Sequence, residues 1–305
     1  MRKILSIGLL VVSIGGIGVS AVNLIPYMRE EAQSASLYAE LAAIHAAGDD
    51  SHVDGITVTP MATTTVTNAE ESDQVGDESQ ENGEESLPDE TPEPTSPPVI
   101  HSGLLALHER NPDCVAWITS EGTVIDYPVM YRPGQKNDYL HRDYNGNHAS
   151  AGARIIAENC EPDDGDNVII YGPHMNSGNM FAALNKYKKQ SFYEEHSRIV
   201  YETLHGLETY EVMFAFTTPV YTGHDFEYYA FSKAKSAEEF DAYVAACRER
   251  SLYDTGVTAR YGDKLLTLST CEYSQKNGRM VVVARKNNEW KEVKSHVKAH
   301  LQGQG

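Results

Sequence analysis

The sequence predicts a mainly β domain with flanking helices, preceded by a transmembrane helix and a disordered linker. Beyond residue 100, short runs of β-branched and aromatic residues alternate with turn signals, which is typical of strands joined by turns. Residues 4–25 form an uncharged, largely apolar run that is long enough to cross a bilayer as a helix. Residues 49–100 hold fourteen acidic and no basic side chains, and they have too few apolar groups to offset the entropy of ordering.

These observations divide the chain into five segments. They are a signal-anchor helix 1–27, a juxtamembrane helix 28–48, an acidic Ser/Thr/Pro-rich linker 49–100, a folded domain 101–290 and a polar tail 291–305. Arg2 and Lys3 precede the apolar run, so the positive-inside rule places the N-terminus in the cytoplasm and the folded domain outside the cell. A cleaved signal peptide is the alternative, but the apolar run continues past the small residues at 19–21, which favours an uncleaved single-pass anchor.

The stretch after the anchor predicts a helix at 28–47, because it is rich in Ala and spaces Leu37, Leu41 and Ile44 along one face. Two interpretations are open for this helix. It forms a solvated stalk, or it packs on the folded domain or near the membrane surface. We expect the acidic linker that follows to act as a self-repelling spacer between the membrane and the domain.

Charge and composition limit the possible partners. The net charge of −19 resides largely in the linker, and residues 101–305 hold 27 acidic and 22 basic side chains without a basic stripe, so we expect no nucleic acid partner. The twelve His residues show no metal-ligand spacing, and we expect neither a metal nor another cofactor. The four Cys residues show no disulfide framework. We expect Cys114, Cys160 and Cys247 to be packed free thiols and Cys271 to be reactive.

The patterns of the folded domain predict its elements in chain order. They are a helix at 101–110, strands at 115–119, 124–130, 153–157 and 168–171, helical turns within 179–196, a hairpin of 198–203 with 208–219, a helix from Ser236 to about 250, and strands near 265–268 and 281–283. His205-Gly206 marks the reversal in the hairpin, and Ser236 with Glu239 forms a capping-box pattern.

The last two strands carry the clearest chemistry. Asn277-Gly278 is a strong reversal signal, which places Cys271 at the end of one strand and Arg279 at the start of the next. The thiolate is the nucleophilic form of Cys, and a fixed cation nearby favours that form or stabilises an oxyanion on the substrate. The alternative interpretation is a buried Cys in a core hairpin with an Arg on its rim.

Ordered motifs identify a resemblance to a known family. Residues 267–271 read Thr-Leu-Ser-Thr-Cys, and with Arg279 on a valine-rich strand they resemble the TLxTC signature of sortases. Asn-Pro-Asp-Cys-Val-Ala-Trp-Ile at 111–118, Ile-Asp-Tyr-Pro-Val at 125–129 and Ile-Tyr-Gly at 170–172 resemble class B sortases in particular. The resemblance implies a closed eight-stranded β-barrel with flanking helices, with Cys271 as nucleophile and Arg279 as the group that positions substrate or stabilises the oxyanion.

The histidine of the family pattern is displaced in this chain. In class B sortases the catalytic His directly follows Tyr-Gly, whereas here Pro173 occupies that place and His174 comes one position later. The flanking motif residues keep their register, so no insertion explains the offset. Either His174 takes over proton transfer, or the catalytic His is lost. Retention of Cys271 and Arg279 favours the first interpretation, and the opposite facing of neighbouring residues on a strand favours the second.

The resemblance implies a membrane-anchored cysteine transpeptidase at a Gram-positive cell surface. Such an enzyme cleaves the C-terminal sorting signal of surface proteins at a Thr and transfers the acyl group to an amine of a peptidoglycan precursor or a pilin. A catalytically impaired peptide-binding module is the alternative, and an L,D-transpeptidase is less favoured because its SHGC-type motif is absent. Candidate substrate-binding residues are Ser269, Thr270 and Tyr273, with Tyr221, Tyr228 and Tyr229 as further candidates for the groove.

Overall fold

The computed structural model describes residues 25–48 except 27, and residues 101–287 except 136–137, 222 and 224–225. The predicted linker, the polar tail and nearly all of the predicted signal anchor lie outside the described residues. Within the described part of the chain, no helix combines the length and the apolar character needed to cross a membrane.

The described chain consists of short helices around a set of eight strands. The helices are α1 at 28–47, α2 Ser102–Arg110, α3 Gln190–Glu195 and α4 Ala237–Arg250. The strands are β1 Cys114–Thr119, β2 Asp126–Met130, β3 Arg154–Ile156, β4 Asn167–Tyr171, β5 Arg198–Thr203, β6 Gly206–Pro219, β7 Leu265–Glu272 and β8 Gly278–Lys286. Segments of 3-10 helix occupy Asp138–His141, Phe181–Lys188 and Tyr228–Ala230.

The strands close into a barrel in the order β1, β2, β3, β4, β7, β8, β6, β5. β2 with β3 and β4 with β7 are parallel pairs, and the other neighbours are antiparallel. Closure pairs the strands on both sides and removes free sheet edges. The predicted closed eight-stranded barrel is confirmed, and β7 lies between β4 and β8 within it.

Local sequence signals account for several of these elements. The hairpin predicted at His205-Gly206 is β5–β6, and Gly206 has a φ of +125°, a conformation that favours glycine. Ser236 caps α4, because its hydroxyl accepts a hydrogen bond from the Glu239 backbone N–H at 3.3 Å. The Glu239 carboxylate in turn accepts from the backbone N–H of Lys235, the residue before the cap, at 2.8 Å, so the return bond of the capping box is displaced by one residue.

Alternation along β8 divides its side chains between two apolar clusters. Met280 and Val282 belong to the larger cluster, whereas Val281 and Val283 belong to a smaller one that includes Phe240 of α4. Successive side chains of a strand face opposite sides of the sheet, so the strand is buried on both faces. The hairpin β7–β8 is therefore held rigidly in the fold.

Helix α1 packs against the barrel. Tyr38 and Leu41 retain only 3% and 2% of their exposure. The guanidinium of Arg154, in β3, lies 3.8 Å from the ring centroid of Tyr38 and 4.4 Å from that of Tyr127. Arg154 is fully buried and also donates a hydrogen bond to the sulfur of Met180 at 2.8 Å. Of the two interpretations open for this helix, the structure shows packing on the domain.

The end of α1 lies directly against the start of α2. A Cβ added to Gly48 would stand 2.6 Å from the Cα of Gly103, so the two backbones approach at a distance that only glycine permits. The described residues that flank the segment 49–100 therefore lie side by side. The segment itself lies outside the described residues, so the spacer role expected for it stays a prediction.

Candidate active site

The hairpin β7–β8 brings the predicted thiol and guanidinium together. Cys271 and Arg279 are directly opposite each other in the antiparallel register, and opposite residues project to one face with Cβ atoms about 5 Å apart. Asn277 has a φ of +55° in the turn. Gly278 packs so closely that an added Cβ would lie 2.5 Å from the carbonyl oxygen of Glu272. The reversal predicted from Asn277-Gly278 is thus the turn that aligns this pair.

Glu272, the residue after Cys271, anchors the start of that turn. Its Oε1 accepts hydrogen bonds from Lys188 Nζ at 2.6 Å and from the Ser274 N–H at 2.9 Å, and its Oε2 accepts from the Ser274 hydroxyl at 2.6 Å. Burial acts to raise the pKa of Glu272, but the bonds from Lys188 and Ser274 outweigh it and hold the pKa below its ordinary value. The ionised carboxylate therefore ties the chain after Cys271 to the 3-10 helix Phe181–Lys188.

The four thiols differ in their surroundings. Burial raises the pKa of Cys160 to about 11 and the pKa values of Cys114 and Cys247 to about 12, so these side chains are protonated at neutral pH. Cys271 is partly exposed and lines a cleft. The prediction of three packed free thiols is confirmed, and Cys271 is the thiol that a substrate can reach.

The segment that carries His174 departs from the strand before it. β4 ends at Tyr171, and Gly172 packs against the Phe181 ring, where a Cβ would come within 2.3 Å of a ring carbon. The carbonyl of Pro173 accepts a hydrogen bond from the Phe181 N–H at 3.0 Å. Because the strand has ended, the strand alternation that counted against His174 does not apply. Both Pro173 and His174 line the cleft.

His174 is bound to the nucleophile's own backbone. Its Nδ1 lies 3.0 Å from the carbonyl oxygen of Cys271 and 2.9 Å from Nδ2 of Asn185. The ring of Tyr273 meets the imidazole edge-on, with 5.0 Å between centroids. These contacts fix the imidazole beside the nucleophile, with its other nitrogen, Nε2, available to exchange protons with reactants.

The cleft that these residues share has a volume of about 1010 Å³. Cys271, His174 and Arg279 all line this cleft, so the three candidate catalytic residues face one solvent-accessible space. Such a cleft is large enough for an extended peptide, because typical small-molecule pockets measure about 300–1,000 Å³.

The candidate binding residues occupy different positions around this cleft. Ser269 is buried, and its Oγ is 2.7 Å from the hydroxyl of Tyr228. The Thr270 hydroxyl donates a hydrogen bond to the carbonyl of Gly172 at 2.8 Å, which ties β7 to the segment that carries His174. Tyr273 is 69% exposed at the rim. Tyr228 and Tyr229 line the cleft, whereas Tyr221 is not part of its wall.

Two residues near the site were not predicted from the sequence. Asn185 contacts His174 from a 3-10 helix, and no motif marks that position. Arg154 supports Met180, which pairs with His174 in an isolated β-bridge. The sequence does show that Arg154 is a single basic residue in an apolar strand. That pattern does not indicate that its partner is the aromatic ring of Tyr38 on α1.

One group of possible metal ligands occurs among the described residues. Ligand-type atoms of His45, His101 and Glu202 lie within 4.8 Å of one another. The two imidazoles are stacked 4.7 Å apart at an angle of 24°, and His45 also stacks on Trp117 at 4.2 Å. A shared ion would have to lie near the plane of both rings, which stacked rings do not allow. The cluster therefore serves as a polar contact between α1 and the barrel, and the expectation of no metal stays a prediction.

A closed mixed barrel whose cleft presents a thiol opposite a guanidinium is the arrangement of a cysteine transpeptidase of the sortase type. The family model described as "Sortase domain" matches residues 119–287, which is more than half of the chain. The protein belongs to the sortase family.

Its relatives place it among class B sortases. The chain is 36% identical to Sortase B of Listeria monocytogenes over 190 residues, which cover 60% of this chain and 73% of the relative. Sortase B from B. anthracis in complex with AAEK1 superposes with a TM-score of 0.62 at 25% identity, over 85% of this chain and 98% of that one. The Staphylococcus aureus sortase B–substrate complex gives a TM-score of 0.55 at 30% identity, over 61% and 85% of the two chains.

Proposed function

We propose that this protein is an active class B sortase that cleaves a C-terminal sorting signal at a Thr and transfers the acyl group to a cell-surface amine. The observation that carries the proposal is the anchoring of His174 at the carbonyl of Cys271, within the cleft that also holds Arg279. This arrangement supplies a nucleophile, a proton carrier and a cation, which together are what acyl transfer through a thioester requires.

The first half-reaction forms a thioester. The Cys271 thiolate attacks the Thr carbonyl, and the carbonyl oxygen takes up the electron pair to become an oxyanion. Arg279 faces the same side of the hairpin as Cys271 and is placed to stabilise that charge or to orient the peptide. The C–N bond then breaks, and the protonated His174 gives its proton to the leaving amine.

The second half-reaction resolves the thioester. An amine of a peptidoglycan precursor or a pilin attacks the acyl carbon, neutral His174 accepts the proton that this amine loses, and the Cys271 thiolate leaves. The acyl group ends as an amide on the acceptor, and both catalytic side chains return to their starting protonation states. The substrate complex of the Staphylococcus aureus relative supports a peptide substrate for this cleft.

The cellular setting forms part of the same proposal. Residues 4–25 anchor the chain in the cell membrane with the N-terminus inside, and the catalytic domain acts at the outer surface on proteins that carry sorting signals. The basic residues before the apolar run and its length support this orientation.

Trapping of the acyl-enzyme tests the proposal. The purified protein is incubated with a panel of peptides that carry Thr-containing sorting signals, and the intact mass is recorded by mass spectrometry. We expect a covalent adduct on Cys271 that hydroxylamine releases. An adduct on another thiol, or peptide binding with no adduct at any pH, would contradict the proposal.

A peptide-binding module without turnover is the second candidate. Pro173 favours it, because this side chain lines the cleft at the position that the family pattern gives to His, and it has no proton to transfer. Under this candidate, peptides bind in the cleft without turnover, and Cys271 reacts with alkylating reagents as slowly as an isolated thiol.

A further inference from the structure

The side chain of Asn185 touches both the proton carrier and the backbone of the nucleophile. It projects from the 3-10 helix Phe181–Lys188 and is half-buried. Its Nδ2 lies 2.9 Å from Nδ1 of His174 and 3.4 Å from the carbonyl oxygen of Cys271. One amide group therefore faces the two atoms whose relative position decides where the imidazole stands.

Only some proton arrangements satisfy these three atoms together. Nδ1 of His174 is 3.0 Å from the same Cys271 carbonyl, so a proton on Nδ1 would be donated to that oxygen. The Asn185 amide donates to the same oxygen at 3.4 Å, so two N–H groups converge on one acceptor. With Nδ1 unprotonated, its lone pair would face the carbonyl oxygen at 3.0 Å with no proton between the two acceptors. The contacts thus correspond to the neutral Nδ1–H form, in which Nε2 can accept the proton that the proposed function assigns to it.

The charged form of His174 keeps the same contacts. In the imidazolium both nitrogens are donors, so Nδ1–H still donates to the Cys271 carbonyl beside the Asn185 amide, and Nε2–H is the proton that the leaving amine takes up. Loss of that proton returns the neutral Nδ1–H form without a rearrangement of Asn185.

We propose that Asn185 is a positioning residue, whose amide donates to the Cys271 carbonyl beside His174 and holds the imidazole there with Nδ1 protonated and Nε2 left to exchange protons. The inference rests on the proposed function, because it assigns His174 the role of proton carrier. It predicts that removal of the amide loosens the ring, and that replacement by a carboxylate, which only accepts, favours protonated Nδ1.

Other ionisable groups also face the cleft and bear on any pH dependence. From the elements around His174 these are His141, Glu158, Cys271, Arg279 and the tyrosines Tyr171, Tyr228, Tyr229 and Tyr273. They are the same in wild type and in variants at position 185. A difference between those proteins therefore reports the contact of residue 185 with His174.

Nitrogen NMR of the histidine side chains tests the inference directly and requires no substrate. The signal of His174 is assigned from its absence in His174→Gln. In the neutral wild type we expect the Nδ1–H tautomer, and in Asn185→Asp we expect the doubly protonated imidazolium to persist to a pH higher by about one unit or more. A neutral wild-type His174 with its proton on Nε2 would overturn the inference, whatever the variants do.

Kinetics supply a second readout. We expect Asn185→Leu to lower kcat about tenfold with little change in KM, as for loss of one hydrogen bond to the proton carrier. Asn185→Asp should shift the alkaline limb of the pH–rate profile upward, whereas Gln190→Glu, which adds the same charge at an exposed position, should not. Asn185→Gln should recover part of the lost rate.

The outcomes separate this inference from the proposed function. If His174→Ala retains turnover, the role of His174 in the proposed function fails, and the inference about Asn185 fails with it. If His174→Ala abolishes turnover while Asn185→Leu and Asn185→Asp match wild type in rate, profile and NMR signal, the inference alone is overturned. Thermal melting within a few degrees of wild type shows that a variant is folded.

Discussion

The two walls of the cleft that carry the reactive groups are built in different ways. Cys271 and Arg279 lie in adjacent strands and are aligned by a tight turn, so their separation follows from strand register alone. His174 lies in an irregular segment after β4, and its place depends on Gly172 against Phe181, on Thr270 and on Asn185. We therefore expect substitutions outside the hairpin wall, which carries Cys271 and Arg279, to leave the separation of these two residues unchanged. The position of His174 on the irregular wall depends instead on contacts from several distant elements.

The difference explains how a displaced histidine can still reach the nucleophile. In a regular strand, a shift by one residue turns a side chain to the opposite face. After the end of a strand no such rule holds, and the local backbone decides the direction. The segment 172–174 has left β4, so His174 can face Cys271 although Pro173 occupies the expected position.

The largest expected effect concerns the hairpin wall. Cys271→Ala should abolish the covalent acyl-enzyme, because no other thiol is both exposed and in the cleft. Cys114→Ala, Cys160→Ala and Cys247→Ala are matched controls, and they should retain adduct formation in mass spectrometry wherever they fold. An adduct that persists in Cys271→Ala would refute the assignment.

The next effect concerns the irregular wall. His174→Ala should lower kcat/KM by about 10²–10⁴-fold, the usual contribution of a general acid–base group. His196→Ala, which changes a histidine outside the cleft, is the control and should stay near wild type. The measurement is steady-state cleavage of a peptide found to acylate the protein. A value for His174→Ala within a few-fold of wild type would show that His174 is a bystander.

The third largest expected effect concerns helix α1, which packs on the barrel at a distance from the cleft. Deleting the chain before residue 102 removes α1, which exposes Arg154 and loosens Met180 beside His174. We expect a loss of about 3 kcal/mol or more in the free energy of unfolding, as for removal of large core side chains, with lower activity. Urea titration measures it.

The control deletion removes most of residues 49–100 and keeps α1. Gly48 and Gly103 lie against each other on either side of that segment, so joining the described chain there by a short loop should change the free energy of unfolding by no more than about 1 kcal/mol. If both deletions have equal effects, α1 does not stabilise the domain in the way described.

The smallest effect belongs to Glu272. Its pKa is lowered in the folded protein, so the stabilisation it supplies is present above its ordinary value of 4.5 and is lost as the pH falls through the folded-state pKa. Glu272→Gln should therefore lower stability by about 1 kcal/mol at pH 7 and by progressively less below pH 4.5. Melting temperatures of both proteins across pH 3–7 check it, and a constant difference would argue against an ionised Glu272.

The sequence predicted the hairpin wall of the cleft, but it did not predict the tertiary contacts on which the His174 wall depends. Strand alternation and the Asn277-Gly278 reversal are local signals, and they led to β7, β8 and the Cys271–Arg279 pair. The docking of α1 depends on Arg154 and Tyr38, which are far apart in the chain and match no periodic pattern. Asn185 was not predicted for the same reason, because its contacts with His174 and with the Cys271 carbonyl join residues far apart in the chain.

The rate of Pro173→His relative to wild type is the measurement that tests the central claim most directly. If His174 is the proton carrier, a second histidine at position 173 should change kcat/KM only modestly. A gain of about a hundredfold or more, the size of a restored acid–base group, would show that wild type lacks its acid and would contradict the assignment of His174.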